Sequence, residues 1–291
     1  ELVRVLKMCY PHQKRFVEKG SSAEAPFVRE VFGDVCVSQG VGCFKTTNKF
    51  RCFLLPENVA YYPFCDDFGP YNLSSITCFI KALEREIAEF SPRKIILSID
   101  AGSRPLANAC FLLGAYMILK LNTTASEAAN ALESLEAEGV EHFRDATFSP
   151  SIFDLTLEDC LMAIERVRNL GWFTCPTDSD LWGRYDIDRY AHFDNPFNGD
   201  MHEIVPGKLL AFQGPHDLPD GALFSDAHRC RRFSPALYAE AFLDMGVTDV
   251  VRLSPATYDP AGFTSRGIRH HHLAFDDCSP PPPSVAAAFL A

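Results

Sequence analysis

The chain has 291 residues, 47% of them hydrophobic and 22% charged, with a net charge of -11; these proportions describe a folded protein and exclude a disordered tail or a coiled coil. The acidic balance speaks against a nucleic-acid partner, which would need clustered Lys and Arg, and favours a positively charged protein or peptide. The length exceeds what one hydrophobic core usually fills, so two domains or one large α/β domain are expected.

From Glu1 to about Lys49 the pattern is weak, and Gly20, Gly40 and Gly42 read as loops around short apolar runs. Phe50 to Leu55 and Val59 to Tyr62 read as strands. Asn72 to Phe90 places Ile76, Phe79, Ile80, Leu83 and Ile87 at helical spacing with charges between them. Lys94 to Ile99 (KIILSI) has the continuous apolar character of a strand buried on both faces, and a glycine turn leads from it to the apolar helix Ala107 to Leu121. Thr124 with Glu127 forms a capping box for a helix running to Glu138, and Thr156 to Asn169 is a further helix ending at Gly171. After a stretch rich in Asp and aromatic residues, strands are expected at Leu209 to Gln213, Val247 to Leu253 and Gly267 to Phe275, with helices at Pro235 to Met245 and from Val285 to Ala291.

No apolar run reaches the roughly 20 residues of a membrane span; Ala107 to Leu121 is shorter and contains Asn108 and Lys120. The chain opens on Glu1 without a signal-peptide pattern, so an incomplete N-terminus is expected. Eleven cysteines without a C-x-x-C pair fit a reducing nucleus or cytoplasm.

Four blocks carry a resemblance: Asp67 to Leu73 (DFGPYNL); Ala107 to Tyr116 (ANACFLLGAY), continuing through Ser126-Glu127-Ala128-Ala129; Phe143 to Phe148 (FRDATF); and Asn198 to His216 (NGDMHEIVPGKLLAFQGPH). Together with Val251-Arg252-Leu253 and Phe275 to Ser279 they are similar, in order, to the cell-division-cycle-fourteen (mitotic-exit) family of dual-specificity protein phosphatases. The resemblance implies an α/β fold of two tandem phosphatase-like domains, the second truncated. Residues 1–170 would form a non-catalytic N-terminal domain, 171–200 a linker, and 201–291 the start of the catalytic domain, lacking its HCxxGxxR loop. A trace of duplication stands in Ser98 to Pro105 (SIDAGSRP), which has the strand, glycine and helix of that loop. Ile99 occupies the place of the nucleophilic Cys and Pro105 that of the Arg, so the first domain cannot do the chemistry.

A cysteine phosphatase needs an activated thiolate, an Arg and amide cradle, and an acid that protonates the leaving oxygen. By the family pattern the acid falls in Phe275-Asp276-Asp277-Cys278-Ser279, and Asp277 is the choice; the same pair of aspartates also suits a turn that caps the following helix. Cys278 has no downstream Arg at the required spacing and reads as structural. In His270-His271-His272 only the outer two share a strand face, so the run reads as an ordinary polar strand and no metal is expected. The resemblance further implies that the FRDA block faces the substrate groove, where Asp145, with Glu138 and Glu141 upstream, would read a basic residue after phospho-Ser-Pro. An internal Arg144 pairing or a solvated acidic face is the alternative.

The expected function of the intact protein is removal of phosphate from Ser, Thr or Tyr in proteins through a cysteinyl-phosphate intermediate, with no cofactor, membrane or nucleic acid involved. The alternative is a non-catalytic phosphatase-like binding module, which applies if the natural chain ends here.

Overall fold

A computed structural model describes residues 28–40, 46–61, 63, 65–148, 150–151, 154–177, 180–227, 230–276 and 279–291. The chain divides into two compact units, one within Cys9–Asp188 and the other within Arg189–Ala291.

The N-terminal unit is built on a four-stranded mixed sheet. Its strands β1 (Val28–Phe32), β2 (Val35–Gln39), β3 (Phe50–Leu54) and β4 (Lys94–Ile99) lie in the order β1-β2-β4-β3. β1 and β2 form an antiparallel hairpin whose turn contains Gly33 at φ 48°, a conformation that costs glycine nothing. β4 runs parallel to both β2 and β3, and Ile95, Ile96, Leu97 and Ile99 are all buried, as a central parallel strand requires.

Four helices complete this unit, the fourth packing on the second and third. α1 (Leu73–Phe90) starts where the Asn72 side chain accepts from the Ser75 amide. α2 (Ser103–Lys120) is buried on every side from Leu106 to Leu119, so it is a core helix and not an amphipathic one. α3 (Ala125–Glu136) and α4 (Leu157–Asn169) each begin with a complete capping box, Thr124 with Glu127 and Thr156 with Asp159. Gly114 lets α2 and α4 close together, since a Cβ there would stand 2.5 Å from Leu161. Beyond α4, Phe173 stacks on Trp182 and meets Tyr185 edge-on, and all three are buried. The boundary at 188/189 lies inside the stretch read as a linker, and the first part of that stretch packs with the N-terminal unit.

Two expectations need correction here, and the weakly patterned residues 28–39 form two strands. Val59 to Tyr61 form no ladder, because the Val59 amide bonds back to Pro56 in a turn. α2 begins at Ser103 and not at Ala107, since Pro105 sits in the first turn, where a missing N–H costs nothing.

The C-terminal unit opens with α5 (Ile187–Phe193) and the hairpin β7 (Met201–Val205) with β8 (Leu209–Phe212); the preceding short pair, β5 (Phe143–Arg144) with β6 (Asp154–Leu155), belongs to the N-terminal unit. A second hairpin, β9 (Phe224–Ala227) with β10 (Cys230–Phe233), leads to α6 (Pro235–Asp244), whose Ser234 cap accepts from the Leu237 amide. β11 (Asp249–Arg252) and β12 (Arg269–His272) form a parallel pair joined through α7 (Ala261–Thr264), and α8 (Pro283–Leu290) follows. Tyr238, Phe242 and Phe263 anchor the core, and the Tyr238 hydroxyl donates to the Gly199 carbonyl at 2.6 Å. The whole is a mixed α/β architecture, as the sequence indicates. No sheet among the described residues takes strands from both units, and no helix among them is long and apolar enough to cross a membrane.

Candidate functional site

Parallel sheets present ligand sites beyond the C-terminal ends of their strands. In the N-terminal unit that edge carries the turn from Ile99 through Gly102 into α2. Gly102 adopts φ 131°, which only glycine tolerates, and its carbonyl accepts from the Gln39 side chain at 3.2 Å. Ile99 is buried at the end of β4, and Pro105, in the first turn of α2, carries no charge.

Beside it the loop at residues 65–71 is fixed in three ways. Buried Asp67 accepts from the Tyr61 hydroxyl at 2.6 Å and from the Cys65 amide at 2.7 Å. The Asn108 side chain, projecting from α2, donates to the Gly69 carbonyl and accepts from the Tyr71 amide, both at 3.2 Å. Phe68 and Arg144 exchange backbone hydrogen bonds of 3.1 and 2.7 Å, tying the loop to β5. These contacts give DFGPYNL the packing role its Gly and Pro residues imply, and a Cβ at Gly69 would stand 3.0 Å from the Tyr61 ring, closer than an ordinary van der Waals contact.

On this frame lies a chain of charges. Asp66 bonds Arg144 Nη1 at 2.7 Å and Arg104 Nη1 at 3.2 Å, while Glu141 accepts from Arg104 Nε and from the Ser103 hydroxyl, each at 2.8 Å. The two carboxylates push the Arg104 pKa further up, Glu141 contributing most. Glu138 pairs with Arg29 at 2.9 Å. Asp145 is exposed and accepts from the Ser151 hydroxyl at 2.8 Å; among the described residues no cation pairs with it. The three acidic candidates therefore share one segment, but two of them are neutralised by the chain's own arginines. Sequence reasoning missed Asp66 and Arg104, whose only signal is charge flanking the FGP and glycine-turn blocks.

In the C-terminal unit, Asp277 and Cys278 lie outside the described residues. Nearby, the Ser279 hydroxyl donates to the Asp276 carbonyl at 2.6 Å ahead of α8. His270 and His272 do share a face. The Tyr258 hydroxyl meets His270 Nε2 at 2.9 Å, and Arg252 Nε donates to His272 Nδ1 at 3.1 Å. Arg252 also donates to the Tyr258 carbonyl at 2.9 Å. Burial, then Arg252 and the flanking histidines, push the His270 pKa down. His271 points the other way, to Asp249 at 2.9 Å, which Arg269 and His271 hold well below the usual carboxylate range.

One further cluster escaped the sequence reading. His202 stands between Asp194 (Nδ1 to Oδ1, 2.8 Å) and Asp200 (Nε2 to Oδ1, 3.3 Å), whose carboxylates raise its pKa to about 10. Two carboxylates and an imidazole suit a metal ion by type. Here both ring nitrogens already face a carboxylate, so the imidazolium is itself the cation of the cluster, and it ties β7 to the turn that precedes it.

Residues 35–167 match the family model described as "Dual specificity protein phosphatase, N-terminal half". The chain is 35% identical to dual specificity protein phosphatase CDC14A of Homo sapiens over 248 residues, covering 84% of this chain and 40% of that protein. It is 34% identical to CDC14A of Mus musculus over the same shares to within one percent, and 31% identical to tyrosine-protein phosphatase cdc-14 of Caenorhabditis elegans, covering 83% of this chain and 34% of that protein. The chain spans about two fifths of the length of the mammalian relatives.

Proposed function

The chain belongs to the CDC14 family of dual-specificity protein phosphatases, and from this premise we propose that the protein it represents removes phosphate from Ser, Thr or Tyr side chains of proteins through a cysteinyl-phosphate intermediate. The observation that carries the reading is similarity running through both units, over 84% of the chain, to relatives named as phosphatases.

Within that activity the 291 residues have a positioning role. HCxxGxxR occurs nowhere in them, and the strand, glycine and helix of Ser98 to Pro105 carry Ile99 and Pro105 at the decisive places. The N-terminal unit then serves substrate choice. Asp145 presents an exposed carboxylate on a segment clamped by the backbone exchange between Phe68 and Arg144, which suits a Lys or Arg following phospho-Ser-Pro. Glu138 and Glu141 contribute a weaker field, because Arg29 and Arg104 offset them. In the C-terminal unit Asp277 is the proposed general acid, protonating the leaving oxygen. The reducing compartment favoured by the cysteine usage is the nucleus or cytoplasm.

The test uses the full-length gene product with a phospho-Ser-Pro peptide. Asp277→Asn should lower kcat by about 10²- to 10⁴-fold with little change in KM, because a proton donor acts in the transition state. An unchanged kcat would remove Asp277 from the mechanism. The 291-residue chain alone should release no phosphate from an aryl phosphate; turnover above a buffer blank would contradict the positioning role.

A further inference from the structure

Between β12 and α8 the chain reads Ser279-Pro280-Pro281-Pro282-Pro283, a run that the proposed dephosphorylation does not use. Ser279, Pro280, Pro281 and Pro282 each stand before a proline, whose Cδ disfavours the helical region and pushes the preceding residue to extended backbone. Pro282 accordingly has φ -54° and ψ 146°, close to a polyproline II helix. With three residues per turn and about 3.1 Å per residue, Pro280 and Pro283 fall on one ridge about 9 Å apart. All four prolines are exposed, and no residue of α8, which Pro283 opens, is buried. Among the described residues no donor meets the Pro280 or Pro281 carbonyl. The segment therefore offers rings and bare acceptors in a shape it already holds, so little conformational freedom is left to lose on binding.

Such a ridge is read by protein domains whose grooves are lined with aromatic side chains, the prolines packing between the rings and aromatic N–H or O–H groups donating to the carbonyls. Charge narrows the choice. Asp276 is exposed just ahead of the run, Asp277 is its neighbour in sequence, and residues 270–291 contain no Lys or Arg. A groove with an acidic rim would repel this segment, and one with a basic rim would attract it. We propose that residues 280–283 are a docking ligand for a protein domain that has an aromatic-lined proline groove and a basic rim. The interaction needs neither a catalytic cysteine nor a general acid, so it stands apart from the dephosphorylation proposed above.

A purified WW domain with Lys or Arg on its groove rim would be titrated into the 291-residue chain by calorimetry, with an acidic-rimmed SH3 domain alongside. The WW domain should bind, more weakly at high salt. Pro281→Ala combined with Pro282→Ala should weaken that complex by about tenfold or more, because two seated rings are lost. Phe289→Ala on α8 should leave it unchanged. Equal binding by the double proline variant, an equal loss with Phe289→Ala, or an SH3 domain that binds as tightly as the WW domain would each overturn the proposal. Absence of binding at about 1 mM would overturn it too and leave the run a stiff connector. Should the proline variant fail to fold, the amide resonances of the intact chain supply a second readout. Those of Ser279 and Ser284 should shift on adding the WW domain, and shifts confined to other segments would refute the docking site.

Discussion

Around the turn into α2 in the N-terminal unit three arginines meet carboxylates: Arg104 meets Glu141 and Asp66, Arg144 meets Asp66, and Arg29 meets Glu138. In the C-terminal unit the arginine that ends β11, Arg252, is buried and meets a histidine nitrogen, a carbonyl and the face of Tyr258; among the described residues no carboxylate pairs with it. The first arrangement cancels charge locally and leaves Asp145 exposed with no cation paired to it among the described residues. The second keeps a cation among neutral acceptors at the end of a parallel pair. The two strand ends thus hold an arginine's charge in different ways, one with carboxylates and the other with neutral acceptors.

The comparison breaks first if the cores do not differ from the surfaces as described. Leu113→Ala, fully buried in α2, should cost about 2–5 kcal/mol in urea denaturation. Phe289→Ala on α8, where the ring is 44% exposed and no helix residue is buried, should stay within about 0.5 kcal/mol.

The arginines sharpen it next. Arg252→Ala leaves the Tyr258 carbonyl without its donor and should cost about 1–3 kcal/mol. Arg104→Ala removes solvent-exposed pairs and should cost at most about 1 kcal/mol, less at high salt. Equal costs would mean that the two edges do not handle charge differently.

A smaller, signed effect separates two histidines within the C-terminal unit. His202 has its folded pKa raised to about 10, so its stabilisation is fully present below the unfolded value near 6.5 and is lost as pH rises from there towards 10. His270 has its folded pKa lowered, so its effect has the opposite sign: stability is present above about 6.5 and is lost as pH falls through the lowered value. His202→Gln should flatten the alkaline limb of a plot of stability against pH, and His270→Gln the acidic limb. Effects on the opposite limbs would reverse both assignments.

Much of the N-terminal frame was legible because its signals are local. KIILSI is too apolar for an exposed strand, Thr124 and Glu127 lie three apart, and Asn72 to Phe90 keeps one apolar face. β2 was not legible, because five residues between Gly33 and Gly40 are too few to show a period. The hairpin of β9 and β10 was missed because its polar strands give no apolar alternation. In the candidate site, FRDA and its upstream glutamates drew notice as a block. Asp66 and Arg104 did not, since their roles depend on partners 38 and 78 positions away in sequence, and such pairings leave no pattern in the chain.

The central proposal is that the N-terminal unit selects substrate through the exposed Asp145 carboxylate while taking no part in the chemistry. It is tested most directly by kcat/KM of the full-length gene product on phospho-Ser-Pro peptides with and without a following Arg. Asp145→Asn should lower kcat/KM for the Arg peptide by up to about fivefold, through KM, and leave the other peptide unchanged. An equal loss on both peptides, or a fall in kcat alone, would contradict it.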